Sequence, residues 1–494
     1  EPMSRINTNV SALQAITRLI ENENDLNTRL ERLSSGLRIN RGADDPAGLI
    51  ASESLRSEIR GLNAAIDNST RAINVISTAD AALGEVSKLL LEVKGLVNNS
   101  TNSGALSDDE IQANQLQIDS LLESINRVAN STQFNTKKLL NGELSYTVSS
   151  QNTAQLARLQ IFGARIPSGE TLPVTIQVTQ SAQTAVLGIT AGGGNGLSAS
   201  GSSSSLSSGN NVTLEVRGRL GTEIFTFTGG TTVSAIAATI TSFSTLTGVS
   251  ASVTTTGGGS ATGLQFNSTS YGSDEFVSVR AISGTFTVAP GDQGDTEDRG
   301  RDAAVLVNGQ TASVKGLIAR IRTSGLDIVA DLTTAFGTTL STSSFAITGG
   351  GASFQIGPQV NSDVLVRIGI PSLATSSLGR TSAGFLPSIG TGGAAAITDS
   401  ANHPTAASIV SAAITQVSVL SGRLGGFQAN QIETNLNSQR VALENVQASE
   451  STIRDTDYAS EVSRLTRAQI LVQSTTQILG LANQLPQNVL SLLR

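Results

Sequence analysis

The 494-residue sequence predicts a multidomain protein, with long α-helical coiled-coil regions at its two ends, paired with each other, and α+β or mostly-β surface modules in its middle. Three observations carry this. Residues 3 to about 140 and about 404 to 494 repeat apolar side chains at helical spacing and are nearly free of proline. The middle, about 145 to 400, instead holds glycine runs at 192–194, 257–259 and 349–351, a serine run at 202–205, and short alternating segments. The closing stretch NQLPQNVLSLLR ends in Val489, Leu490, Leu492 and Leu493, where chain ends are usually polar and frayed.

From the N-terminus, Ile6, Val10, Leu13 and Ile20 share one helical stripe and, after a break, Leu26, Leu30, Leu33 and Leu37 continue it. The joint LSSGLRINRGADDPAG, 33–48, follows. Gly36 suits the left-handed conformation that ends a helix, and Asp45 as cap with Pro46 in the first turn starts the next. Arg38, Arg41, Asp44 and Asp45 make this joint compactly charged. From Leu55 a heptad seam runs through Ile59, Leu62, Ile66, Ser69, Ile73, Ile76, Asp80, Leu83, Ser87, Leu90, Lys94 and Val97. A second helix, Asp108 to Ala129, carries Ile111, Ile118, Leu122, Ile125 and Ala129 on one face and folds back on the first.

In the middle, VTLEV, EIFTFT, VSASV, GLQF and FVSV read as strands and Val233, Ile236, Ala237 and Ile240 as a short helix. A second block has AAVLVNG, LDIVADL, SFAIT, SFQIG and DVLVRIGI. Near the other end, STIRDTDYASEV, 451–462, offers Arg454, Asp455 and Asp457, which face the first joint if the ends run antiparallel, the aspartates being expected to cap helices and to bridge to Arg38 or Arg41. The last helix, from about Ala459, has Val462, Leu465, Val472 and Leu479 on one stripe and Leu471, Ile478, Leu481 and Leu485 on another. One partner helix cannot cover both. The ends therefore pair and bury their remaining faces against neighbouring subunits, with a monomeric bundle core as the open alternative. The expected domains are 3–46 with 456–494, 47–171 with 400–455 including a β-hairpin, 172–285, and 286–399.

Composition excludes several function classes. A net charge of −7 without clustered Lys and Arg argues against a nucleic-acid binder. Without cysteine there is neither disulfide nor thiol chemistry, and a single histidine, His403, excludes a site needing two imidazoles and is expected as a cap or surface residue. No apolar run approaches the ~20 residues of a membrane span, and the N-terminus, with Glu1 and Pro2 ahead of the start expected at Met3, lacks a secretory pattern. Asp455, Asp457 and Glu450 are dense in carboxylates but lack the shaped loop a hard cation needs, and no triple glycine precedes GK[ST]. Aromatic residues at 3% suit a shell or fibre better than an enzyme pocket. No enzyme activity, cofactor or metal is expected.

The segments INTNVSALQA, ERLSSGLRINRGADDPAG, NSTQFNTKKLLNG, ESTIRDTDYASEVSRLTRAQIL and ANQLPQNVLSLLR resemble bacterial flagellin, the subunit of the flagellar filament, in the right order at both ends. The middle, in VNGQTASVKG and FAITGGGASFQIGPQV, is more weakly similar to flagellin hook IN modules. The resemblance implies an extracellular structural subunit of the swimming filament, exported by a type III apparatus. Its partners would be copies of itself, an export chaperone, the filament cap and hook-junction proteins, with no nucleic acid and no membrane. The extreme ends would line an inner tube, assembled through Ile6, Val10, Leu13, Leu30, Leu33, Val472, Leu479, Val489, Leu490, Leu492 and Leu493; the next segments would form an outer tube and the middle its surface. A hook-filament junction protein or a filament-borne adhesin is the alternative. Some flagellins are detected by an innate Toll-like receptor through a stretch running LQRVRELA. Here LLEVKGLV keeps Leu90, Val93 and Leu96, but Glu92 replaces the cation and Gly95 the acid, and Gln117 stands where the family has Glu, so weak signalling is expected.

Overall fold

The computed structural model describes residues 8–102, 104–166, 170–191, 194–200, 203–256, 260–289, 296–361 and 364–492. Its α-helices are α1 (Val10–Ser35), α2 (Pro46–Ser100), α3 (Asp108–Ser131), α4 (Val233–Ser242), α5 (Ser244–Thr247), α6 (Thr334–Gly337), α7 (His403–Phe427), α8 (Thr434–Arg454) and α9 (Tyr458–Leu492). Two compact units result. One comprises Glu1–Thr70, Ile356–Val360 and Glu433–Arg494, the other Arg71–Gln355 and Asn361–Ile432.

The first unit is built from α1, the start of α2, α8 and α9. The break expected after Ile20 does not occur: the polar run ENEND, 21–25, stays helical, and Arg29 closes one turn back on Asp25 at 2.8 Å. Those residues are a wet helix face, not a stop signal. The helix does end where Gly36 predicts, at φ +73° with its N–H donating to the Arg32 carbonyl at 2.9 Å. Asp45 opens α2 by accepting from the Gly48 N–H at 2.9 Å. On α2, Gly61 lies so close to Pro358 that an added Cβ would meet its carbonyl oxygen at 3.1 Å.

The buried stripe of α2 corrects the expected seam. Leu62, Ser69, Ile76, Leu83, Leu90 and Val97 are buried as read, but the second row is Ala65, Ala72, Ala79, Val86 and Val93. Ile59, Ile66 and Ile73 are half-buried flanks, and Asp80 is exposed. Alanine lets a facing helix approach closely, so the bulkier isoleucines one position away border the contact rather than fill it.

In the second unit, α2 beyond Thr70, α3 and α7 bury one continuous core through residues such as Leu90, Ile118, Ile125, Val410, Val417 and Leu424. A capping box starts α3, the Ser107 hydroxyl accepting from the Glu110 N–H while Glu110 Oε2 accepts from the Ser107 N–H at 2.8 Å. The stretch Ser400–Arg454 is, contrary to expectation, long and apolar enough by length and composition to cross a membrane, yet much of α7's apolar surface is buried in this core. His403 is likewise not a surface residue. It is buried at the start of α7, where its Nε2 lies 2.8 Å from the Ile397 carbonyl.

The expected hairpin pairs Gln133–Phe134 with Lys137–Lys138 through Asn135 (φ +46°) and Thr136 (φ +69°). Asparagine tolerates this left-handed region, but β-branched threonine is strained there. Thr136→Gly is therefore expected to stabilise the second unit by about 1 kcal/mol in thermal unfolding.

The middle holds two β-rich cores, both within the second unit. One joins a five-stranded sheet, in the order Gln310–Thr311, Ala304–Val307, Leu172–Gln180, Thr342–Gly350, Tyr146–Ser149, to a four-stranded one, Ser313–Lys315, Ile318–Arg322, Leu326–Leu332, Leu156–Ala164. All pairings are antiparallel, and alternate residues such as Val174, Ile176 and Val178 point into the core. The other core has the sheet Thr222–Phe227, Val212–Gly218, Phe276–Ser283, Glu297–Arg299 and the sheet Val249–Thr256, Ser260–Ser268, Val186–Thr190, with α4 burying Val233, Ile236 and Ile240. This border differs from the one expected at 172 and 286. Leu172–Gln180 pairs with Ala304–Val307 and Thr342–Gly350, while Phe286 and Val288 belong to the core that starts at Ala185. The second core is thus inserted into the first, and at its base Gln183 and Arg301 exchange backbone hydrogen bonds at 2.9 and 3.0 Å.

Candidate functional site

The paired terminal helices of the first unit are the site where sequence and structure converge. α1 and α9 run antiparallel: Asn9 Nδ2 donates to the Ala482 carbonyl at 2.8 Å, Asn22 Nδ2 to Thr475 Oγ1 at 2.8 Å, and Arg29 pairs with Glu461 at 3.1 Å. Among the residues whose side chains are described, the buried ones on α9 are Glu461, Ala468, Thr475 and Ala482, an unbroken seven-residue repeat, and those on α1 are Ala12 and Ala15. Leu19, Leu26 and Leu33, with Leu465, Val472 and Leu479, are half-buried along the seam. Small side chains and half-buried apolar ones thus alternate along the contact, polar contacts fix the register, and a further set of large apolar groups turns outward.

The consequence is a surface rich in large apolar groups. Val10, Leu13, Ile16, Ile20 and Leu30 of α1 are exposed, as are Val462, Leu471 and Ile478 of α9, with Ile470 at 59% and Leu481 at 64%. Of the residues expected to assemble the inner tube, Val10, Leu13 and Leu30 are therefore open, and Leu33, Val472 and Leu479 flank the intrachain seam. Ile6 and Leu493, and the side chains of Val489, Leu490 and Leu492, lie outside the described residues. Sequence reading found the larger half of the seam, Leu26 and Leu33 with Leu465, Val472 and Leu479, and missed its small half, because alanine and threonine do not register as a hydrophobic stripe; the repeat 461, 468, 475, 482 was its signal.

Glu461 is 5% exposed at its side chain and is compensated chiefly by Arg29 at 3.1 Å, with Arg464 farther off at 3.8 Å. Arg29→Gln leaves that carboxylate with only the longer Arg464 contact at 3.8 Å and is expected to lower the stability of the helix pair by about 1–3 kcal/mol, read by far-UV circular dichroism on heating.

The two charged joints meet as expected, but through backbone. Leu37 and Asp455 form an antiparallel bridge, the Arg38 N–H donates to the Arg454 carbonyl at 2.7 Å, and the Thr456 N–H to the Gly36 carbonyl at 2.9 Å. The expected ion pairs of Arg38 or Arg41 with the aspartates are not made. Arg38 instead donates through Nε and Nη2 to the Ile453 carbonyl at 3.1 and 2.5 Å, and Arg41 pairs with Glu31 at 3.0 Å. Asp455 accepts from the Ser451 hydroxyl at 2.6 Å, and Asp457 caps α9 by accepting from the Ala459 and Ser460 N–H groups at 3.0 and 3.3 Å. Arg454 reaches Glu53 at 3.0 Å. Short carboxylates satisfy nearby backbone donors more readily than they reach long, mobile cations, which is why capping prevails here.

Asp44 closes the joint by accepting from the N–H groups of Asn40 at 3.0 Å and Arg41 at 2.9 Å. The Arg41 N–H, then the Asn40 N–H, hold its carboxyl below the ordinary carboxylate range. A depressed value means that the contribution is present above the unfolded-state value and fades as pH falls through the folded one. Amide exchange at Asn40 and Arg41 is accordingly expected to accelerate once the pH drops below about 4, and to be fast at every pH in Asp44→Asn. Among the described residues no group of three or more His, Cys, Asp or Glu could hold a metal ion.

The receptor-like stretch lies in the second unit. Leu90 and Val93 are buried in its core, Leu96 is half-buried, and Glu92 is exposed and accepts from Gln117 Nε2 at 3.4 Å.

Residues 6–145 match the family model of the bacterial flagellin N-terminal helical region, and residues 407–493 that of the bacterial flagellin C-terminal helical region. Flagellin B of Helicobacter pylori (strain J99) is 28% identical over 99% of this chain and 99% of its own. Flagellin of Clostridium tyrobutyricum is 28% identical over 98% of this chain and 100% of its own. Flagellin of Bacillus subtilis (strain 168) is 42% identical over 156 residues, 31% of this chain and 51% of that one. The 3D structure of FliC from Burkholderia pseudomallei covers 72% of this chain and 98% of its own at 14% identity, with a TM-score of 0.24, too low a superposition to bear weight. With both helical ends matched and relatives aligned along almost their whole length, the chain belongs to the bacterial flagellin family.

Proposed function

We propose that this filament subunit polymerises through the outward faces of α1 and α9, which become the buried lining between neighbouring copies in an inner tube. The supporting observation is the placement of small and large side chains. The helix pair closes its own seam with Ala12, Ala15, Ala468, Thr475 and Ala482 and leaves Val10, Leu13, Ile20, Ile470, Ile478 and Leu481 uncovered. Burying such groups releases roughly 25 cal/mol per Å2 of apolar area, which offsets the entropy of ordering the chain ends. Contacts on two different faces of one subunit are heterologous, and heterologous contacts that do not close generate a helix.

On this reading the protein is extracellular in the flagellar filament, does no catalysis, and meets an export chaperone, the cap and the hook-junction proteins only as it is delivered and assembled. Electron microscopy of purified protein added to filament seeds tests it. Extension into long filaments is expected, and a protein that stays monomeric under seeding overturns the reading. Recognition by an innate receptor through residues 90–97 would be weak, because Leu90 and Val93 face inward and Glu92 presents an anion. A cell reporter responding as strongly as to an enteric flagellin would contradict that.

A further inference from the structure

The second unit holds a cleft apart from the residues named for the helix pair. On the sheet containing Leu156–Ala164, cross-strand pairing sets Arg158 opposite Asp331 and Asp331 opposite Ile318, while Gln160, Val329 and Arg320 form the next row. Residues two apart on a strand share a face, so these side chains line the side away from Ile321 and Ile328, which are buried in the first β-rich core. A cavity along this face is closed by Leu378, Arg380, Gln416 and Leu420. A second cavity, of about 540 Å3, shares Arg320, Asp331 and Arg380 with it and continues past Tyr271, Thr334, Thr381 and Ser382.

The charges of this cleft are distributed unevenly along it. In the larger cavity Arg219 pairs with Glu275 at 2.6 Å, Lys315 with Asp274 at 3.1 Å, and Asp302 accepts from Ser273 and Gly316. Arg423, in the smaller one, is bound to Asp327 and stacks on the Phe162 ring. Lys315 is thus shared by Asp274 and Asp302, whereas three cations, Arg158, Arg320 and Arg380, surround the single carboxylate of Asp331. Arg158 is held rigidly, donating to the carbonyls of Gly379 at 2.8 Å and Ser377 at 2.7 Å. Burial lowers the pKa of its guanidinium against the pull of Asp331, and burial raises the Asp331 carboxyl against the pull of Arg158, Arg380 and Arg320. Partly desolvated cation in excess of anion is a setting that gains from a further anionic group.

We propose that this cleft binds a carboxylated sugar. The ligand carboxylate sits between the guanidinium forks of Arg320 and Arg380, which match its planar geometry. Its ring lies along the larger cavity, whose volume is that of a small-molecule site, with hydroxyls toward Thr334, Thr381 and Ser382. Asp331 is the acceptor that selects a sugar over a phosphate, since a carboxylate takes a hydrogen bond from a ring hydroxyl and repels a dianion.

Calorimetric titration of the full-length monomer tests this with glucuronate, using glucose and inorganic phosphate as comparisons. Saturable binding of glucuronate is expected, on the order of tenfold weaker in Arg380→Gln or Arg320→Gln and weaker still for glucose. Arg320 is solvent-exposed, so Arg320→Gln keeps its melting temperature and its loss of binding cannot be blamed on misfolding. Arg217→Gln, on the other β-rich core, should bind like the parent. Absence of saturable glucuronate binding, undiminished binding by both variants, or phosphate binding as tightly as glucuronate would each overturn the proposal.

Discussion

Ile470→Asp or Leu481→Asp is expected to leave the monomer's thermal unfolding within about 0.5 kcal/mol of the parent while abolishing filament growth from seeds. Both side chains are more than half exposed in the isolated subunit, so a charge there replaces apolar area that the subunit itself does not bury. In a polymer the same carboxylate would be trapped between copies without a partner, and burying an unpaired charge is far costlier than any single apolar contact is worth. The seam supplies the opposite control. Ala468 is 1% exposed, so Ala468→Leu overpacks the intrachain contact and lowers the stability of the helix pair by about 1–3 kcal/mol before any assembly is attempted. If Ile470→Asp and Leu481→Asp both polymerise at parental rates, the outward faces of α9 are not the assembly surface.

Leu90→Ala is expected to destabilise the second unit by about 2–5 kcal/mol, with a matching drop in its denaturant midpoint. Leu90 is fully buried in the core formed with α3 and α7, and removing its side chain leaves a cavity that long, regular helices cannot easily collapse. The result separates two roles for one stretch of sequence. If Leu90 were a receptor contact, its truncation would change signalling and spare stability; a stability change below about 0.5 kcal/mol would show that the side chain is not in the core.

How much was legible in the sequence depended on the size of the residues that carry each contact. The helices of the ends could be read because leucine and isoleucine at helical spacing mark them, and α3 had both its buried face and its span right. The phase of α2 was half right, since Ala65, Ala72 and Ala79 pack as tightly as isoleucine yet add little to a hydrophobic stripe. The small half of the α1–α9 seam was missed for the same reason. His403 was misread because a lone histidine beside proline resembles a cap, whereas its ring is buried against the Ile397 carbonyl, a partner six residues back in a loop with no regular pattern. In the middle, strands such as Leu326–Leu332 alternate cleanly and were found. Strand partners were not, because pairing Leu172–Gln180 with Ala304–Val307 is a contact between residues more than a hundred positions apart, and nothing local encodes it. At the joint, the caps were right and the ion pairs were not: Gly36, Asp45 and Asp457 cap helices, and backbone rather than ion pairs ties Arg38 to the opposite segment.

The paired backbone hydrogen bonds of Gln183 and Arg301 bring the two ends of the inserted core together. The polypeptide leaves and returns at one doorway, so everything between them is a cassette whose ends already touch. Lengthening, shortening or exchanging that cassette changes no strand register in the sheets it leaves behind. The sheet that pairs Leu172–Gln180 with Ala304–Val307 is therefore closed by its own strands, whatever length of chain runs out through the doorway.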